Sequence, residues 1–122
     1  MLATETTSVP LNNQIIHQII DKYTLLEPTN VLAYLAQHKN LTFALLEAEK
    51  QIRKQFLHEK LTLKIVYDPE IPHWEKLFII INTQLDADTA FDQLKQLDQD
   101  WWLDASDLVN NDLEIHIDFD EI

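Results

Sequence analysis

The sequence predicts an α+β domain in which a small, mixed, three-stranded sheet is packed by helices. Some segments carry apolar residues at every third or fourth position, as on one face of a helix, and others alternate with the period of two typical of strands. The chain has 122 residues, of which 46% are hydrophobic, and this length suits one domain. We expect a threonine-rich flexible tail at 1–10 and a single domain over 11–122.

Two helices are predicted before the sheet begins. Apolar residues at helical spacing indicate the first helix, from about Asn12 to Lys22. The pattern is then interrupted around Pro28, because the residue before a proline is driven out of helical geometry. Thr29 or Asn30 is a candidate cap for a short second helix over 31–37.

A third helix and a first strand follow. Asn40 is the expected cap of a helix from Leu41 to Phe56, on which Glu49 and Arg53 form a favourable i,i+4 pair. Residues 61–67 then alternate between apolar and polar side chains, which predicts a strand with one exposed face.

The second half of the chain predicts strand, helix and strand. Residues 77–81 are apolar throughout, as expected of a central strand covered on both faces. Asp86 can cap the next helix, and a last strand with one exposed face covers 113–119. The predicted buried stripe of that helix consists of Ala87, Ala90, Phe91, Leu94 and Leu97.

We expect the strands to lie in the order first, second, third. A strand-helix-strand crossover usually joins parallel neighbours, although an antiparallel place beside the first strand is the alternative for the last one. The helices that begin at Leu41 and Asp86 would cover one face of the sheet. Phe78 and Ile80 on the other face then need a cover, from the helices of 12–37 or from a second subunit. A homodimer is one expected assembly.

The chain contains no glycine and no cysteine. Phosphate-binding loops need glycine, since only a residue without Cβ lets the backbone approach a phosphate closely. Without cysteine there can be no disulfide framework, thiolate metal site or thiol nucleophile. We therefore expect no cofactor. The N-terminus lacks the pattern of a secretory signal and no long apolar run appears, so we expect a cytoplasmic protein that does not enter membranes.

The negative charge is concentrated in the last third of the chain. The formal net charge is -12, and from Gln84 onward Lys95 is the single base among many acids. Arg53 is the one arginine, although guanidinium is the preferred donor for phosphate and for guanine edges. This distribution disfavours nucleic acid and anionic membranes as partners and favours a basic protein.

The paired carboxylates do not form a recognisable cation loop. A calcium loop begun at Asp98 would place Leu103 where glycine belongs and Val109 where the last glutamate belongs. No two histidines stand three to five residues apart, although His116 lies between Glu114 and Asp118. We expect neither a metal site nor catalytic residues.

The sharpest local feature is a pair of adjacent tryptophans flanked by aspartates. Trp101 and Trp102 should point in different directions, so we expect one to pack on the core and the other to be partly exposed. An exposed indole among Asp98, Asp100 and Asp104 would anchor a basic partner, since the ring supplies contact area and the acids supply attraction.

Several segments together resemble a family of small uncharacterised bacterial proteins associated with toxin-antitoxin gene neighbourhoods. The resemblance covers roughly residues 31 to 119 and rests on 31–35 (Val-Leu-Ala-Tyr-Leu), the helix 41–56, 68–70 (Asp-Pro-Glu), 77–79 (Leu-Phe-Ile) and 101–104 (Trp-Trp-Leu-Asp). It implies a shared domain and transfers no catalytic residues.

Two hypotheses about function follow. The first is a non-enzymatic interaction module, antitoxin-like, that presents its acidic, tryptophan-anchored surface to a basic protein such as a small nuclease-like toxin. The alternative is a metal-dependent hydrolase or nuclease that uses Asp98, Asp100, His116 and Asp118. The second hypothesis requires these four side chains to converge on one pocket.

Overall fold

A computed structural model describes residues 13–109 and 112–119 of the chain. The predicted tail at 1–10 and the predicted first helical residue, Asn12, lie outside these ranges. The helices are α1 (Asn13–Lys22), α2 (Pro28–Gln37), α3 (Asn40–Gln55), α4 (Ala87–Leu97) and α5 (Leu103–Leu108), with a π-helical turn at Asp98–Trp102 between the last two. The strands are β1 (Thr24–Leu25), β2 (Lys60–Tyr67), β3 (Glu75–Thr83) and β4 (Leu113–Phe119).

The strands form one mixed sheet in the order β1-β2-β3-β4. Strand β2 runs antiparallel to β3, with Leu63 opposite Ile79, and β4 runs parallel to β3, with Ile79 opposite Ile115. The predictions of an α+β fold, of a central second strand and of a parallel last strand are confirmed.

The sheet has four strands where three are predicted. The additional strand, β1, is only two residues long and pairs in parallel with β2, so that Thr24 lies opposite Thr62. The Leu26 N–H continues this pairing by donating to the Leu63 carbonyl over 2.9 Å. A two-residue strand has no period to detect, because a period of two needs several residues to be visible.

A single apolar core lies between the helices and one face of the sheet. Its fully buried members include Leu35, Ile52, Leu63, Ile79 and Leu97, so α2, α3, β2, β3 and α4 all contribute. Tyr23, which follows α1, donates its buried hydroxyl to the Leu45 carbonyl over 2.7 Å. Burial raises the Tyr23 pKa well above its ordinary value, which keeps the phenol protonated as a donor.

The N-terminal helices pack on the same side of the sheet as α3. Ile19 of α1 and Val31 of α2 belong to the core, together with the inward-facing residues of the strands. Of the two covers predicted for Phe78 and Ile80, the helices of 12–37 do not supply one in the described part of the chain, where both side chains remain half-buried, and cover by a second subunit stays a prediction. Residues 60, 62, 64, 66, 76, 78, 80, 82, 114, 116 and 118 share this open face, because alternate strand residues point to the same side.

The ends of the helices agree only in part with the predicted caps. Asp86 caps α4 as predicted, since its carboxylate accepts the Thr89 N–H over 3.0 Å. Asn40 is instead the first residue of α3, and α2 begins at Pro28 rather than after Thr29 or Asn30. Proline suits this first position because the N–H that it lacks has no partner there.

Arg53 stabilises the C-terminal end of α3 through hydrogen bonds. Its guanidinium donates to the Glu49 carboxylate over 3.1 Å, which confirms the predicted pair, and also to the carbonyls of Phe56 and Glu59 over 3.1 and 2.7 Å. Helix ends leave carbonyl groups without helical partners, so the one arginine of the chain completes this end and the loop that leads to β2.

Among residues 13–109 and 112–119, two adopt left-handed backbone angles, although the chain has no glycine to take such positions. Glu27, just before α2, has φ 49°, and His73, in the β2–β3 connection, has φ 64°. These angles bring Cβ close to the following carbonyl oxygen, a contact that glycine would avoid.

None of the helices within 13–109 and 112–119 is both long enough and apolar enough to cross a membrane.

Candidate functional site

The two tryptophans lie in the middle of one unbroken helical segment, from α4 through the π-helical turn into α5. Leu97, Trp102 and Leu103 all have right-handed helical backbone angles, so the chain does not bend out of the helix. The Leu103 N–H donates to the Asp98 carbonyl, five residues back, which defines the π-helical turn. The helix predicted to begin after Asp86 therefore continues beyond Leu97 as far as Leu108. The sequence predicts no helix or strand for residues 98–108.

The π-helical turn allows both indoles to reach the core. Trp101 and Trp102 are each half-buried and pack against the core cluster, with ring centroids 5.5 Å apart and planes inclined at 40°. In an α-helix adjacent side chains diverge by about 100°. A π-helical turn is wider and separates neighbours by a smaller angle. The predicted division, with one indole packed on the core and the other partly exposed, is not found, because both are half-buried and both pack against the core cluster.

Exposed acidic residues form a line along one side of this helical segment. Residues 88, 92, 96, 100 and 104 stand four apart and all are exposed, and four of them are aspartates. The fifth, Gln96, donates its amide to the Asp100 carboxylate over 2.8 Å, which shows that these positions are neighbours on the helix surface. We call Asp88, Asp92, Asp100, Asp104 and Asp107, with Leu103, the acidic ridge.

The predicted partner-binding aspartates do not share one environment. Asp100 and Asp104 are exposed on the ridge, whereas Asp98 is half-buried at the start of the π-helical turn. Burial raises the pKa of the Asp98 carboxyl above its ordinary value, because part of its hydration is lost there. A partner's ammonium or guanidinium group beside Asp98 would offset this desolvation.

Two large apolar side chains are exposed on the described part of this helical segment. Leu103 is 63% exposed and Phe91 is 53% exposed. The prediction that Phe91 belongs to the buried stripe is wrong, although its ring does make an edge-on contact with Phe119 over 5.8 Å between centroids. In the sequence, Leu103 lies between Trp102 and Asp104. The aspartates at 100 and 104, which favour solvent, are the sequence feature that could indicate an exposed Leu103.

The geometry required by the metal-dependent alternative is not met. Asp98 and Asp100 lie on the π-helical turn, while His116 and Asp118 lie on the open face of β4. Among residues 13–109 and 112–119, no group of three or more His, Asp or Glu side chains is placed to hold a metal ion. The His116 ring instead packs against Phe78, with 4.6 Å between ring centroids.

The open face of the sheet is a second candidate surface. An open groove of about 490 Å³ lies along it, lined by Lys60, Lys64, Ile80, His116 and Asp118 among others. Its lysines come from β2 and its acid, Asp118, comes from β4, with Ile80 of β3 between them. The alternation of side chains along each strand predicts which residues share this face. The strand order then places the basic residues of β2 and the acidic residues of β4 on opposite sides of β3.

Comparison of the chain with protein-family models, with curated proteins and with solved structures finds no match. The resemblance to a family with the Trp-Trp-Leu-Asp segment therefore stays a prediction, and the functional conclusion depends on the two surfaces themselves.

Proposed function

We propose that this chain is a non-enzymatic interaction module that binds a basic protein through the acidic ridge. The observation that carries the proposal is the position of Leu103, which is 63% exposed, between the exposed Asp100 and Asp104. An apolar side chain surrounded by charges has the composition of an interface anchor with a polar rim.

The charge of the ridge supports the same conclusion. Seven aspartates and one lysine occupy residues 86–107. Like charges at i,i+4 destabilise a helix, so this pattern lowers the stability of the free protein. A basic partner would remove the repulsion on binding and would also be attracted from a distance.

The indoles supply rigid support for the ridge. Trp101 and Trp102 pack on the core with part of each ring exposed, so their contact area is available at little further cost in conformational entropy. In keeping with the predicted antitoxin-like role, we propose a small basic nuclease as the partner, held by electrostatic attraction around the 101–103 anchor.

The first test is co-purification from the native host, followed by a titration of the purified pair. We expect a basic protein to co-purify and its affinity to fall steadily as NaCl rises from about 0.05 to 0.5 M, since salt screens opposed charge fields. The variant Asp100→Asn/Asp104→Asn should weaken binding about tenfold, which corresponds to roughly 1.4 kcal/mol for two rim charges.

The matched control is Asp21→Asn/Glu70→Gln. It removes the same two units of charge from α1 and from the β2–β3 connection, where both residues are exposed. We expect it to change the affinity less than twofold, as distant charges contribute little at physiological salt. An affinity that does not depend on salt, or an equal loss with the control variant, would contradict the proposal.

A further inference from the structure

The open face of the sheet carries a regular arrangement of charge across its three long strands. At the level of Phe78, the β2 residue is Lys64 and the β4 residue is Glu114. At the level of Asn82, they are Lys60 and Asp118. Each of these two rows therefore runs from a base on β2, across β3, to an acid on β4.

The row between these two, at the level of Ile80, has no lysine or acid. Thr62 and His116 lie on either side of Ile80, and Ile80 and Phe78 provide the apolar strip along β3. Both apolar residues remain half-buried within the described part of the chain. A face with an apolar strip between a basic and an acidic border is unlike the acidic ridge, so it requires a partner of different chemistry.

We propose that this open sheet face binds the same face of a second copy of the chain. A two-fold axis parallel to β3 places β2 of one copy over β4 of the other and keeps each row at its own level. Lys64 then meets the partner's Glu114, and Lys60 meets the partner's Asp118, while the apolar strips face each other. A self-complementary patch of this kind is what a two-fold interface needs.

The charges also disfavour the other symmetric arrangements. A two-fold axis perpendicular to the strands would place β2 over β2 and β4 over β4, with bases facing bases and acids facing acids. Pairing two copies along the outer edge of β4, antiparallel and centred on His116, would put Glu114 beside the partner's Asp118. Like charges directly opposite each other destabilise strand pairing. The axis along β3 avoids both conflicts.

Lys76 lies at the end of the strip, where the axis along β3 brings it to the level of the partner's Lys76, so this like-charge pair opposes the dimer. Its ammonium lies 5.6 Å from the centre of the Trp74 ring, so the side chain is engaged within its own chain.

The size of the face sets the expected strength of the dimer. Three strands about 4.8 Å apart, with the nine residues of β3 rising about 3.3 Å each, give a surface of roughly 15 by 30 Å. This area is about half of the 800 Å² or so that each partner buries in a standard interface. The dimer should therefore be weak and reversible, with a dissociation constant of about 10 to 500 µM.

The test is sedimentation velocity on the full chain from about 10 µM to 1 mM, the range in which a micromolar dimer forms. We expect a concentration-dependent shift from monomer to dimer. The variants Lys64→Glu and Glu114→Lys should each raise the dissociation constant at least about tenfold, because each one creates two repulsive contacts in the symmetric dimer. The double variant Lys64→Glu/Glu114→Lys should restore it to within about threefold.

Lys54→Glu is the control for the charge change. It makes the same substitution at an exposed position of α3, and it should leave the dissociation constant unchanged. The far-ultraviolet circular dichroism and the urea midpoint of every variant show whether it is folded, so a loss of dimer can be separated from unfolding.

Four outcomes would overturn the proposal. Three of them are a chain that stays monomeric throughout this range, a dimer that is insensitive to Lys64→Glu, and a double variant as weak as either single one. A fourth is a monomer that binds single-stranded oligouridine and loses that binding in Lys64→Glu, since the face would then accept a nucleic acid rather than a second copy. None of these outcomes bears on the acidic ridge, which lies on the opposite, helical side of the sheet.

Discussion

Neutralising Asp104 should stabilise the free protein. Asp104 is exposed and has Asp100 four residues before it and Asp107 three residues after it, both also exposed. Each of these pairs places like charges on neighbouring positions of the helix surface. Because the helix continues through Leu103, whose N–H is already bonded to the Asp98 carbonyl, Asp104 does not gain the stabilisation that an acid receives at a free helix N-terminus.

The expected gain follows from the two pairs. Like-charge pairs at this spacing cost about 0.2 to 0.5 kcal/mol each, so Asp104→Asn should raise the free energy of unfolding by roughly 0.4 to 1 kcal/mol at low salt. Asparagine and aspartate have similar helix propensities, so the substitution reports the charge and little else.

Urea unfolding at two salt concentrations measures this gain. In about 0.1 M NaCl the variant should unfold at a higher urea concentration than the wild type, and in about 1 M NaCl the difference should nearly vanish, because the Debye length falls to roughly 3 Å. Glu70→Gln, in an exposed connection outside the helices, reports the general effect of removing one negative charge. A variant no more stable than the wild type at low salt, or a gain that persists at high salt, would refute the repulsion on which the ridge interpretation depends.

Three further predictions concern the frame that holds the ridge and the sheet. Tyr23→Phe removes the buried hydroxyl that donates to the Leu45 carbonyl and should cost about 1 kcal/mol in urea unfolding, whereas Tyr67→Phe, at an exposed site, should cost almost nothing. Hydrogen bonds from Thr89 lower the Asp86 pKa below its ordinary 3.8, so the ionised cap contributes stability above that pH and loses it as the pH falls. Asp86→Ala should therefore be less stable than the wild type at pH 7 and approach it in acid, as thermal unfolding at a series of pH values would show, while equal destabilisation at every pH would contradict the assignment. His73→Gly should raise the free energy of unfolding by about 0.5 to 1 kcal/mol, since φ 64° is strained for histidine, and a loss of stability by the same urea assay would argue against that strain.

The long periodic elements of this fold could be predicted from the sequence. The pattern of residues 41–56 requires a helix with one buried face, and the apolar run of 77–81 requires a strand with neighbours on both edges. Asp86 could be identified as a cap because aspartate before a periodic helical segment has a specific hydrogen-bonding role.

The remaining features depend on tertiary structure that a single sequence does not encode locally. The open face illustrates this, because α1 and α2 have an apolar side that would suit either face of the sheet. Their place beside α3 is determined by contacts such as that between Tyr23 and Leu45, which are 22 residues apart. The π-helical turn at Asp98–Trp102 is also hidden, since its bonds run over five residues and leave no distinctive apolar spacing.

The candidate site was predicted in its composition but not in its geometry. The aspartates and tryptophans at 98–104 indicated an acidic, aromatic surface, and Asp100 and Asp104 are exposed as that prediction requires. The exposure of Leu103 is not predicted, because a leucine beside two tryptophans is more typical of a buried core. Only the helical continuation through the π-helical turn places it on the outside.

The most direct test of the acidic ridge is to follow the three indole N–H signals of the chain by NMR while the purified basic partner is added. We predict that the signals of Trp101 and Trp102 shift or broaden, that the signal of Trp74, the last residue of the β2–β3 connection, stays unchanged, and that Asp100→Asn/Asp104→Asn suppresses the response. A partner that perturbs Trp74 alone, or that leaves all three indoles unchanged at saturation, would show that the ridge is not its binding surface.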